Sequence, residues 1–104
     1  MKSLCRLIAL SLCLAPIAAA AEPEWHVIIG KALSNRYATV VVNADGTIGG
    51  GFAEGTWWEE GGQFCREITA PFMFRGTECQ TIEIVGDEAL FTDPRGNTMA
   101  WRME

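Results

Sequence analysis

Few residues in this chain are of a type and spacing that could do chemistry. His26 is the single histidine, and a catalytic histidine needs a nucleophile and an orienting acid beside it. Beyond the first 21 residues the one serine is Ser34, eight positions further on. One histidine is also too few for a typical zinc site. Glu59 and Glu60 are adjacent carboxylates, but neighbours on a strand point to opposite faces, which suits them poorly to paired acid–base work. Glu67 is within reach of Glu59 across a hairpin. A two-carboxylate glycosidase site, however, needs facing carboxyls and a sugar cleft, for which so short a chain has little room. Gly49-Gly50-Gly51 is followed by no Lys-Ser, Lys-Thr or helix signal, so it is not a phosphate loop. Asp45-Gly46 and Asp93-Pro94-Arg95-Gly96 lack the ligand density of a calcium loop. The expectation is a domain with no catalytic, cofactor-binding or metal-binding residues.

Two cysteines and two tryptophans remain. Cys65 and Cys79 are separated by 13 residues. That spacing is no CxxC redox motif, and an even cysteine count in a small exported domain implies a disulfide. Trp57 and Trp58 are adjacent, so on a strand they face opposite ways. One ring then lines the core. The other lies under the N-terminal segment or forms an exposed aromatic surface of the kind that marks binding sites. Arg66 stacks on that outward ring if the strands pair as expected. Trp57, Trp58 and Arg66 are therefore the candidate binding surface.

Compartment and charge narrow the partners. Lys2 and Arg6, an apolar run from Leu7 to Ala15, Pro16 and the small residues Ala18 to Ala21 have the layout of a secretory signal peptide over 1–21. The run is shorter than the roughly 20 residues of a membrane-spanning helix. Cleavage leaves a single domain over 22–104, about 83 residues, in the periplasm or outside the cell. Losing Lys2 and Arg6 takes the formal net charge from −5 to −7. That balance argues against nucleic acid and against an anionic membrane, both of which favour a basic partner, and no stable membrane insertion is expected after cleavage.

The elements that must position these residues read as short strands. Trp25, Ile28, Ile29 and Leu33 recur at helical spacing, while Trp25, Val27 and Ile29 alternate as in a strand; the helical reading is preferred. Strands follow over Tyr37–Asn43, Thr47–Phe52, Glu54–Glu60, Gln63–Thr69, Cys79–Val85, Glu88–Thr92 and Thr98–Met103. The turns between them are Ala44-Asp45-Gly46, Gly61-Gly62, Gly86-Asp87 and Asp93 to Asn97, with Arg75-Gly76-Thr77 as a loop tip. The three glycines at 49–51 mark a bend. The fold class is all-β: an antiparallel meander of about seven short strands curled into a small barrel or half-barrel. Curling buries Val40, Val42, Ile48, Phe52, Trp57, Phe64, Ile82, Ile84, Phe91 and Trp101 together and removes bare edges.

The stretch from Trp58 through Phe64-Cys65-Arg66-Glu67, then Cys79-Gln80, Gly86-Asp87 and Phe91-Thr92, resembles a family of small exported alphaproteobacterial proteins. Its recurring pattern is Gly-x-Trp-x-Trp-x-x-Gly-x-Phe-Cys-Arg, then Cys-Gln, Gly-Asp and Phe-Thr. This chain departs from it in the adjacent Trp57-Trp58 and in a later turn with one glycine fewer. Some members carry the name dihydrodipicolinate reductase. That chemistry uses a dinucleotide-binding α/β domain, and neither its fingerprint nor its length is present here. Gly55-x-Trp57, the single disulfide and the small exported barrel are also similar to bacterial lipocalin-like protease inhibitors. That resemblance implies an inhibitory N-terminal arm, here Glu22 to Trp25. The sequence therefore leads to an exported, non-catalytic β-domain, a binding or envelope-associated protein whose partner is an unidentified protein or a small apolar ligand. A periplasmic protease inhibitor is the alternative, and an enzyme the third reading.

Overall fold

Runs of β-branched and aromatic residues cut by tight turns give eight antiparallel strands in this computed structural model. It describes residues 22–104, so the expected signal peptide lies outside the described residues. The strands are β1 (Ala32–Ser34), β2 (Thr39–Val42), β3 (Thr47–Gly49), β4 (Glu54–Glu60), β5 (Gln63–Ala70), β6 (Gly76–Val85), β7 (Glu88–Thr92) and β8 (Thr98–Met103). Each pairs with its sequence neighbour, and β1 also pairs with β8, so the meander closes into a barrel. Closure matters because an open sheet would leave two rows of unpaired N–H and C=O groups. The seam is short: Leu33 faces Met103 and Ser34 faces Arg102. Beyond it, the Glu104 N–H donates to the Ala32 carbonyl at 2.9 Å, and the Ser34 hydroxyl donates to the Glu104 carboxylate.

The turns follow from local chemistry. Asp45 accepts from the Thr47 N–H at 3.0 Å and from its hydroxyl at 2.6 Å, holding the β2–β3 turn. Asp93 does the same for the β7–β8 turn, accepting from the N–H groups of Arg95 and Asn97, both at 2.9 Å. Gly50 has a φ of +99°, and a Cβ there would come within 2.8 Å of the Val41 nitrogen. At Gly55, where the β4–β5 register shifts, a Cβ would overlap the Glu67 carbonyl. These two positions need glycine because another strand's backbone fills the space.

One end of the barrel is closed. The segment expected as a helix over 25–33 is instead a single 3-10 turn, Glu24–Ile28, followed by strand β1. The reason is tertiary: Trp25 and Ile28 both turn into the barrel, 3% and 0% exposed, and a longer helix would take Leu33 out of its pairing with Val40 and Met103. The Trp25 indole N–H donates to the Gly62 carbonyl at 2.9 Å. Its ring meets Trp57 and Phe64 edge-on, at centroid distances of 6.1 and 5.7 Å. Trp57 is tied in by its own indole N–H, which donates to the Asn43 carbonyl at 2.7 Å.

The strands are therefore eight rather than seven. The strand expected to run to Phe52 ends at Gly49, and Phe52 is exposed rather than a core residue. The backbone turns through the positive φ values of Gly50 and Gly51 and carries Phe52 out to the open end. The expected loop tip at Arg75-Gly76-Thr77 lies one turn earlier, in the 3-10 turn Phe72–Phe74, and β6 already begins at Gly76. Val42, Ile48, Phe64 and Phe91 are buried as expected, with Val40, Trp57, Ile82, Ile84 and Trp101 packed against them. Trp25, Ile28, Leu33, Ala53, Ile68 and Ala89 complete the core.

Candidate functional site

Strand alternation and register decide which side chains face the interior. Trp57 stands opposite Arg66, and Arg66 opposite Glu78. Trp58 stands opposite Cys65, and Cys65 opposite Cys79. The first row points inward and the second outward. The disulfide Cys65–Cys79 thus staples β5 to β6 on the outer face. Trp58 is 37% exposed, and its indole N–H donates to the Glu60 carboxylate at 3.2 Å. Arg66 does not stack on that outward ring. It lies on the opposite face, where its guanidinium donates to Glu78 at 3.3 Å. The expected surface of Trp57, Trp58 and Arg66 is therefore divided between the two sides of the sheet.

Glu67 faces Thr56, and Glu59 faces Phe64, so these two carboxylates are not cross-strand partners. Glu59 instead accepts from His26 Nε2 at 2.7 Å, and Glu22 pairs with His26 Nδ1 at 3.3 Å. Burial opposes the charge on the imidazole, but the hydrogen bonds to Glu59 and Glu22 and their negative charges outweigh it and raise the His26 pKa above 6.5. This cluster clamps the 3-10 turn to β4. Ser34 is engaged with Glu104 and not with His26. Among the described residues, one grouping of metal-ligating types occurs, Glu60 with Cys65 and Cys79. Both its sulfurs are in the disulfide and are not available as thiolates.

The opposite end is open. Beneath it lies a cavity of about 870 Å³, floored by Val42, Ile48, Phe64 and Phe91. Its two sides differ. The β1–β4 side presents the apolar Leu33, Val40, Ile48 and Ala53, with Asn35 and Tyr37 from the β1–β2 loop. The β5–β8 side presents Arg66, Glu78, Gln80, Asp93 and Arg95 among Ile68, Met99 and Trp101. Glu78 is the hub of the polar side: it accepts from Arg66, from the Gln80 amide at 2.7 Å, and stands 3.9 Å from Arg95. Arg95 also pairs with Asp93 at 2.9 Å. Backbone N–H donation from Asn97, countered by some desolvation and helped by the Arg95 N–H, holds the Asp93 pKa below 3.8. A guanidinium carries five N–H donors, and Arg66 uses one on the protein among the described residues.

Sequence reading named Arg66 but put it on the outer face, and it missed Glu78, Gln80 and Arg95. The signal was parity. Arg66 shares its parity with Phe64 and Ile68, and Glu78 and Gln80 share theirs with Ile82 and Ile84. Polar residues on an inward-facing row must find hydrogen-bond partners inside the barrel. No protein-family model, curated protein or solved structure matches this chain.

Proposed function

We propose that this protein is an exported, non-catalytic binding protein, and that its ligand is a small molecule with an apolar body held in the barrel cavity. One observation carries the reading: a closed eight-stranded barrel with a cavity of about 870 Å³ at one end, apolar along β1–β4 and polar along β5–β8. Eight-stranded barrels either fill their interior with side chains or keep room for one small ligand. Here the closed half is filled by Trp25, Trp57 and Phe64, while the open half keeps a volume within the usual range for small-molecule sites. The polar groups in the cavity are paired with one another, an arrangement that supports binding over nucleophile–base chemistry. An inhibitory arm over Glu22–Trp25 receives less support, because Trp25 is locked into the barrel floor.

Titration with an environment-sensitive apolar dye such as anilinonaphthalene sulfonate tests the reading. Saturable, one-to-one enhancement by folded wild type is expected. Val40→Phe, which fills the cavity from its apolar side, should abolish it with little change in melting temperature. Absence of saturable binding by wild type, or undiminished binding by the Val40→Phe variant, would remove the proposal.

A further inference from the structure

The polar side of the cavity is balanced in charge, and that limits what can occupy it. Arg66, Glu78 and Gln80 form its inner part: Arg66 stands opposite Trp57, and Gln80 opposite Phe64 of the floor. The side chains of Arg66 and Glu78 are 24% and 20% exposed, and their opposite charges lie 3.3 Å apart. At the rim, Arg95 pairs with Asp93 at 2.9 Å. Arg75, the remaining charged residue of the lining, lies over the ring of the exposed Phe72 and borders a second, outer hollow together with Glu67. Farther out at the same end, Arg36 is matched by Glu54. Neither sign prevails, so no net field draws in an anion or a cation.

Hydrogen bonding narrows the occupant further. Glu78 Oε2 accepts from Arg66, and from Gln80 Nε2 at 2.7 Å. A carboxylate has no donor to give, so the Gln80 amide turns its nitrogen to Glu78 and its carbonyl away. Among the described residues that carbonyl makes no hydrogen bond, and Arg66 has N–H groups beyond the one given to Glu78. Held on the same oxygen of Glu78, the two side chains stand side by side. The inner wall thus offers N–H donors next to a neutral acceptor, with its carboxylate already engaged.

Resting on the cavity reading above, we infer that the ligand is an uncharged amphiphile. Its apolar chain or ring lies along β1–β4, and its head, a group that both accepts and donates hydrogen bonds such as a carboxamide, lies on Arg66 and Gln80. A carboxylate head would bond Arg66 but set its charge against Glu78 and its lone pairs against the Gln80 carbonyl. An ammonium head would bond that carbonyl but meet the charge of Arg66. Against the apolar opposite wall, either charge is held at a cost that a neutral head avoids.

Displacement of Nile red, a dye without charge, by octanamide, octanoate and octylamine in neutral buffer tests this. The three compounds share a chain and differ in the head. Octanamide should displace the dye from wild type, and octanoate and octylamine should each need about tenfold more. Gln80→Leu should weaken octanamide about tenfold and narrow its lead over octanoate. Glu78→Gln, which leaves Arg66 without its counter-charge, should turn the preference to octanoate, and Arg66→Gln should turn it to octylamine. A merely structural role for the cluster would weaken all three compounds alike. The wild-type order decides the question even where a variant fails to fold. With the dye bound saturably, equal or stronger displacement from wild type by either charged compound, or failure of octanamide to displace, would overturn the inference and leave the cavity reading standing. So would an unchanged order of heads in the two folded charge variants. No saturable Nile red binding by wild type, or undiminished binding by Val40→Phe, would remove the cavity reading and this inference with it.

Discussion

The two ends of this barrel are built from similar residues to opposite effect. At the closed end, aromatic rings point inward and each indole N–H there finds a backbone carbonyl: Trp25 on Gly62 and Trp57 on Asn43. At the open end, aromatic rings point outward, and the polar groups nearby hydrogen-bond among themselves around a cavity. Buried aromatics with satisfied polar atoms contribute stability, whereas exposed ones cost solubility and persist where a surface is used. The closed end is therefore the packed half of the barrel, and the open end holds the cavity.

The sharpest way to break this contrast is a matched truncation. Trp25→Ala removes the plug and leaves the Gly62 carbonyl short of a partner, and should cost about 3–5 kcal/mol in denaturant unfolding. Phe72→Ala, at the mouth, should stay within about 0.5 kcal/mol of wild type. Similar losses for both would erase the distinction between the ends. Next comes reduction of Cys65–Cys79, which closes a loop of sequence separation 14. In the chain-entropy argument it is worth about 3 kcal/mol, and a thiol reductant should lower the melting temperature clearly. An unchanged melt would show that barrel closure alone holds β5 to β6.

The smallest effect is electrostatic, and it sets the ends apart by pH. The folded-state pKa of His26 is raised above its ordinary 6.5. Its stabilisation is therefore full below pH 6.5 and is lost as pH rises through the raised folded value. Both carboxylates are partly solvated, so the effect should stay under about 1 kcal/mol. The melting temperature should fall on going from mildly acid to mildly alkaline buffer, and His26→Gln should remove that fall. At the open end the sign reverses. The Asp93 pKa is depressed, so its contribution is present above pH 3.8 and is lost as pH falls through the depressed value. Asp93→Asn should flatten the acid limb and lower stability at neutral pH by an amount that does not vary with pH there. A single shared pH window for both variants would contradict the assignment.

Much of the meander was legible because turns are local. Asp45-Gly46, Gly61-Gly62, Gly86-Asp87 and the Asp93 to Asn97 loop each carry their conformation in their own residues, and each joins the strands it was expected to join. Strand β1 was not legible. Ala32-Leu33-Ser34 has no strand signal of its own and is held by partners on both sides, one of them from the far end of the chain. Phe52 was misread for a related reason: its hydrophobicity is a property of the residue, but its direction follows from two glycines with positive φ just before it.

The candidate site was legible only in pieces. Arg66, Glu78, Gln80 and Arg95 are scattered over three strands and a turn, and nothing local says that they meet. Trp57 and Trp58 were expected to face opposite ways. Where each then leads, one to the barrel floor and one to open solvent beside the disulfide, depends on what packs against them.

By itself, then, the sequence determined the all-β class, the hairpin order and the pairing of Cys65 with Cys79, because these rest on short-range chain stiffness and on Cys65 and Cys79 being the two cysteines of residues 22–104. Tertiary structure alone decided that the sheet closes through β1 and β8, that Trp25 seals one end, and that arginines and apolar tips gather at the other. The physical reason is closure. Once the last strand pairs with the first, each loop belongs to one end or the other, and residues far apart in sequence come to share a floor or a mouth.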